Sequence, residues 1–199
     1  MKRNLLLAVT FISVLAGCSR ETELQRTIFI EDPDSPGLPQ YSEWGYNTFG
    51  AYYDRIPFVS TDDYVPARFI VDEQSTTFQL DGVKKQSPFG AVGEHYILSF
   101  TLPDIDPEEY DDLLALHGVT YNLKEIDVFL SKDGMQEPMT VSNGVLKFQR
   151  AQHLWVDGKP ALVILSGYFE IQGFVGGNPV SIQEGRFDLG IMPGNVFLM

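Results

Sequence analysis

Apolar and polar residues follow two regimes along this chain. The first is a basic head, Lys2 and Arg3, followed by an apolar run from Leu5 to Leu15 interrupted only by Thr10 and Ser13. That run is about half the length a membrane-spanning helix needs. With small residues at its end, it has the form of a secretion signal covering residues 1–17. From Trp44 onward the period becomes two. Tyr96, Leu98, Phe100 and Leu102 alternate with Ile97, Ser99, Thr101 and Pro103, and Ile126, Val128 and Leu130 alternate with Asp127, Phe129 and Ser131. Such alternation predicts strands with one buried face. Thr76, Phe78 and Leu80 run into Asp81-Gly82. Met139 and Val141 run through Asn143-Gly144 to Leu146 and Phe148. Leu154 and Val156 run through Asp157-Gly158 to Ala161–Leu165. With Asp133-Gly134, these dipeptides favour turns in which both residues take positive φ. Their spacing predicts an antiparallel meander.

One segment leaves the alternation. Asp106 is placed as a helix N-cap, Pro107 at the first helical position and Glu109 three residues after the cap. Tyr110, Leu113, Leu114 and His117 share a face, and Gly118 stops the helix. The prediction is one short helix, about 107–116, lying across an end or open edge of the β body. Near the C-terminus the buried phase flips. Val180 and Ile182 are even, whereas Phe187, Leu189 and Ile191 are odd. One face stays buried only if a bulge or break falls at Glu184 to Arg186.

Residues 18–43 read as a flexible tether, because Ser19–Glu23 is polar and Pro33, Pro36, Gly37 and Pro39 interrupt regular structure. Thr27-Ile28-Phe29-Ile30 is the exception, placed to add to the domain as an edge strand. The domain itself is expected over 44–199, mainly β, a single antiparallel sandwich or barrel. Its composition agrees, with 14 Phe and 9 Tyr.

Charge narrows the partners. The chain carries −13, and losing Lys2 and Arg3 with the leader takes it to −15. No basic patch exists to hold phosphate backbones, so nucleic acid is not a partner. The single cysteine, Cys18, leaves no disulfide and no cysteine-based zinc site. His95, His117 and His153 fall in separate elements without metal-ligand spacing, and the acids from Asp104 to Asp112 are explained by helix capping and the helix dipole. No nucleophile elbow or phosphate loop is present. No metal, cofactor or catalytic residue is assigned, and the chain is read as a non-enzyme.

Leu15-Ala16-Gly17-Cys18 resembles the lipobox of bacterial lipoproteins. The resemblance implies cleavage before Cys18, a diacylglycerol on its thiol and an acyl chain on its amine. A single chain holds a protein at a bilayer only marginally, whereas two or more hold it stably. Gly45-Tyr46-Asn47-Thr48-Phe49-Gly50-Ala51 resembles the opening of the domain in uncharacterised Bacteroidetes lipoproteins. Ser166–Ile171 and Gly185–Leu189 resemble a strand pair near the C-termini of the same proteins. The departure is Tyr53-Asp54-Arg55, where those proteins tend to have a Val-Asn-Gly turn. The family implies an all-β, lipid-anchored envelope protein, placed at the outer membrane on its periplasmic or surface face, and implies no activity. The reading is therefore a non-catalytic binding module for a glycan or a protein. The alternatives are a structural or assembly component of the envelope and a carrier of a small apolar ligand. Tyr53 and Trp155, opposite in parity to their apolar neighbours, are the candidate exposed ligand-binding aromatics.

Overall fold

Alternation becomes a sheet closed on itself. A computed structural model describes residues 23–60, 65–73, 75–85 and 93–198. Its strands are β1 Thr48–Tyr53, β2 Ile56–Val59, β3 Ala67–Val71, β4 Thr76–Lys84, β5 Glu94–Leu102, β6 Thr120–Asn122, β7 Val128–Lys132, β8 Met135–Val156, β9 Lys159–Val175, β10 Asn178–Ile191 and β11 Val196–Leu198. Pairing runs β4-β2-β1-β10-β9-β8-β7-β5, and β5 returns to β4. The circuit is an up-and-down antiparallel barrel, so the meander predicted from the turns is present and its form is a barrel. Among the described residues the seam between β2 and β4 pairs Phe58↔Lys84 and Val59↔Val83, with the Lys85 N–H on the Pro57 carbonyl at 2.9 Å; β3 takes over that edge of β4 from Thr76 to Leu80, and β11 adds to β3 in parallel.

Inward positions are apolar and outward positions such as Gln79, Glu170 and Gln172 are polar, the reverse of a barrel embedded in lipid. The interior is filled with rings. Phe78 on β4 lies 5.4 Å from Phe148 on β8 and 5.6 Å from Phe187 on β10, and those two lie 5.5 Å apart. These strands stand on different walls, so their side chains meet across the middle. Glycine makes the room: a Cβ on Gly167 would come within 2.0 Å of the Lys147 carbonyl oxygen and 2.6 Å of Phe187.

Among the described residues, four two-residue turns have both φ values positive: Asp54-Arg55, Asp133-Gly134, Asp157-Gly158 and Gly176-Gly177. Two of the dipeptides read as turns are not turns. Asp81-Gly82 lies inside β4, opposite Ile97 and Tyr96, and Asn143-Gly144 lies inside β8, opposite Gln172 and Ile171. Gly82 serves packing instead, since a Cβ there would reach 2.5 Å from Phe49. The Asp54-Arg55 turn closes with Arg55 at φ 70. A non-glycine residue in that region costs roughly 1–2 kcal/mol. Arg55→Gly is therefore expected to stabilise the protein by about 1 kcal/mol and raise Tm by about 2–4 °C. An unchanged or lower Tm in a thermal melt contradicts this.

The predicted helix is present but starts later and winds tighter. It is a 3-10 helix over Tyr110–Leu116, with Glu109 rather than Asp106 as its N-cap. The Asp112 carboxylate accepts the backbone N–H groups of Glu108 and Glu109, both at 3.0 Å, and this fixes the start. Leu113 and Leu116 are buried in the core, so the helix closes one end of the barrel. The register of β10 against β9 shifts between Ile182 and Gly185, with Glu184 at φ 52, which is the bulge the phase flip requires.

The expected flexible tether needs correction over its described part. Residues 23–43 lie on the outside of β9, β10 and β1. Leu38 is fully buried, the Tyr41 ring stacks on Tyr168 at 4.3 Å, and Tyr52 donates its hydroxyl to the Pro36 carbonyl. Arg186 bonds Asp32, and Ser35 donates to Glu184. The cause is the continuous apolar run on β9: Leu162 and Ile164 face outward and need a cover. Thr27–Ile30 does not join the sheet. Ile28 N–H bonds the Tyr46 carbonyl and Gln40 N–H bonds the Ile30 carbonyl, outside any strand. Residues 1–22, which include Leu15, Ala16, Gly17 and Cys18, lie outside the described residues. Among the described residues no helix is long and apolar enough to cross a membrane.

Candidate binding site

The two ends of the barrel differ. The 3-10 helix closes one. At the other, where β1 meets β2, β7 meets β8 and β9 meets β10, the last inward side chains are Tyr53 and Tyr96, packed edge to face at 5.5 Å. They form the floor of a pocket of about 240 Å³, whose walls include Leu130, Lys132, Met135, Glu137 and Asn178. Its apolar lining, Leu130, Met135 and Val180, and its polar lining, Lys132, Glu137 and Asn178, both come from the strand ends beside these hairpins.

Charge at this mouth is arranged in pairs. Lys84 Nζ sits 3.5 Å above the Tyr53 ring centre and 3.8 Å from Asp54. Lys132 Nζ bonds Glu94 at 2.6 Å and lies 5.5 Å from the Tyr96 ring centre, while the Tyr96 hydroxyl donates to the other Glu94 oxygen at 2.9 Å. A cation over a ring face is attracted by its quadrupole. The bond from Lys132 holds the Glu94 carboxyl below its usual range, and the same bond raises Lys132. Burial pushes the Tyr53 phenol up to about 12 and also raises Tyr96. Through the neutral range, then, Glu94 stays ionised, Lys132 stays cationic and both phenols keep their protons. The mouth offers fixed donors and acceptors over an aromatic floor.

Of the two aromatics expected to be exposed, Trp155 is, at 61%, and Tyr53 is not, at 7%. Tyr52 and Tyr53 exchange the roles expected of them. Tyr52 points outward under the Pro36 segment, whereas Phe49, Ala51 and Tyr53 face the core. Trp155 lies at the opposite end of the barrel, near the Asp157-Gly158 turn, with its ring edge on His153 at 5.8 Å. The structure therefore does not bring Tyr53 and Trp155 together. Tyr96, Lys132, Glu137 and Asn178 were not singled out by the sequence. Tyr96 reads as one more core position of β5, and only its place near the start of that strand sets it at the rim. The histidines stay apart: His95 pairs with Asp81, His153 with Asp111, and His117 accepts the Ala151 N–H.

Compared with protein-family models, with curated proteins and with solved structures, the chain gives no match.

Proposed function

We propose that this protein is a lipid-anchored lipoprotein of the cell envelope, fixed by Cys18, whose barrel is a non-catalytic binding module. The observation that carries the binding reading is the asymmetry of the ends, one plugged by Leu113 and Leu116 and the other holding the Tyr53–Tyr96 pocket. At about 240 Å³ the pocket is smaller than sites for drug-sized ligands, which run from about 300 Å³. It has room for one ring. An aromatic and aliphatic floor beneath a cation, a carboxylate and an amide suits a terminal sugar of a glycan, which has apolar C–H faces and hydroxyl edges. The ring-filled interior argues against a carrier of small apolar molecules.

A protein ligand is the second reading, favoured by β11. It ends the sheet order, so among the described residues its outer edge has no strand partner, and Phe197 and Leu198 are 48% and 64% exposed. A free edge strand is a template for an added strand.

Thermal melts of the mature chain with a panel of neutral, acidic and amino sugars separate the readings. A bound sugar at 100 times its Kd adds about 2.7 kcal/mol, which raises Tm by about 5–10 °C. Glu137→Ala and Asn178→Ala, both at exposed positions, are expected to keep the unliganded Tm and to abolish the rise. A flat response across the panel, or a rise that survives both substitutions, overturns the mouth as the site.

A further inference from the structure

We propose that Ile28, Phe29, Ile30 and Trp44 form a surface that seats the barrel on a lipid bilayer beside its own anchor; the inference rests on the lipidation of Cys18 proposed above. These side chains are 48%, 42%, 47% and 70% exposed. They belong to two segments joined by the Ile28 N–H to Tyr46 carbonyl bond at 2.9 Å. In an extended segment alternate side chains normally turn inward; here three consecutive apolar ones stay out. Pinning on both sides keeps them there. Asn47 Nδ2 donates to the carbonyls of Leu24 and Arg26 at 2.9 and 3.2 Å, and Gln40 N–H holds the Ile30 carbonyl at 2.7 Å.

Chain length identifies what meets this surface. Leu24, the first of the described residues held by the Asn47 side chain, lies six positions after Cys18, and Ile28 lies ten after it. Fully extended, those stretches span at most about 20 and 35 Å. A lipid on Cys18 therefore sets the Leu24–Ile30 side of the barrel against the membrane. Tethering makes the contact intramolecular, so a weak partition of two isoleucines, a phenylalanine and a tryptophan suffices. Tryptophan at the headgroup level is favourable in its own right. With −15 on the mature chain, anionic lipid repels the body, so the docking belongs to apolar contact and weakens as anionic lipid is added.

Cys18 is the only cysteine and Trp44 one of two tryptophans. The mature chain carrying Trp155→Phe, coupled through Cys18 to a maleimide lipid in phosphatidylcholine vesicles, reports on Trp44 alone. The expected result is a blue shift of Trp44 emission on coupling and quenching by bromine-labelled acyl chains. Both are lost when Ile28, Phe29 and Ile30 are replaced by serine, exposed positions at which the Tm is expected to hold. Emission unchanged by coupling overturns the docking surface and leaves the anchor standing. Self-association of the uncoupled chain through the same residues assigns the surface to a second copy and also overturns the proposal. A Cys18 found without lipid in cells removes the anchor, and the proposal with it.

Discussion

Phe78→Ala is expected to destabilise the barrel by about 3–5 kcal/mol, the range for removing a buried phenylalanine ring. Phe78 is fully buried and touches rings from several strands: Phe69 at 4.9 Å, Phe148 at 5.4 Å, Phe187 at 5.6 Å and Phe100 at 6.0 Å. Phe148 and Phe187 also hold each other at 5.5 Å, and Phe100 packs on Phe169 at 6.1 Å, so collapse into the gap is expected to be incomplete and to leave a cavity. An apolar cavity of that kind stays dry and accepts a small aromatic molecule. Benzene is therefore expected to raise the Tm of Phe78→Ala and to leave the parent protein unmoved. A parent protein stabilised equally by benzene would mean that the interior already holds an apolar site, and would restore the carrier reading. A loss below 1 kcal/mol would mean that the rings are not the centre of the core.

Asp188→Ala is expected to cost about 3–5 kcal/mol through a different mechanism. Asp188 is 1% exposed on the outer face of β10, under the segment that precedes β1. It accepts the backbone N–H groups of Trp44, Gly45 and Tyr46 at 3.2, 2.7 and 3.1 Å, and the Ser42 hydroxyl. Alanine leaves these part-buried donors without their acceptor, at about 1–3 kcal/mol for each group that water does not reach. The chain loses its grip on Ser42–Tyr46 and with it the cover over Leu162 and Ile164. A fall in Tm of about 10 °C follows at roughly 2–4 °C per kcal/mol, together with faster proteolysis within 23–47. Asp188→Asn keeps one acceptor oxygen and is expected to lose about half as much. If Asp188→Ala melts like the parent, the N-terminal segment is not held by this carboxylate.

Those bonds give physical content to the short motifs in the sequence. The Gly45–Ala51 and Gly185–Leu189 blocks are partners: Thr48 pairs with Asp188, Gly45 donates to Asp188, and the Asn47 side chain accepts the Gly190 N–H at 2.8 Å. Asn47, at φ 55 and fully buried, turns the chain from the covering segment into β1. Each block is legible alone, but their pairing is not, because more than a hundred residues separate them and no local pattern carries such a contact.

Strand alternation was legible wherever only one face is buried, as on β5, and so was the bulge in β10. It misled where both faces are covered. The run at Ala161–Leu165 reads as a buried strand without saying that its second face is covered by the chain's own N-terminal residues. The proline-rich composition of that cover reads as a tether, because its contacts, Leu38 and Tyr41 among them, are tertiary. Turn dipeptides were legible at Asp133-Gly134 and Asp157-Gly158, but at Asp81-Gly82 glycine is used for ring packing rather than for positive φ. The mouth was least legible. Its residues come from the ends of β1, β5, β7, β8 and β10, and only closure of the barrel brings them to one rim.

The proposed anchoring at Cys18 underlies both the proposed envelope placement and the proposed bilayer-facing surface, and intact mass spectrometry of the protein purified from the membranes of bacteria that produce it tests it most directly. The predicted chain begins at Cys18, weighs more than residues 18–199 by a diacylglycerol and an acyl chain, and moves to the soluble fraction without that increment in Cys18→Ala. A membrane-extracted or secreted chain with the bare polypeptide mass, or one that retains Met1–Gly17, would contradict the account.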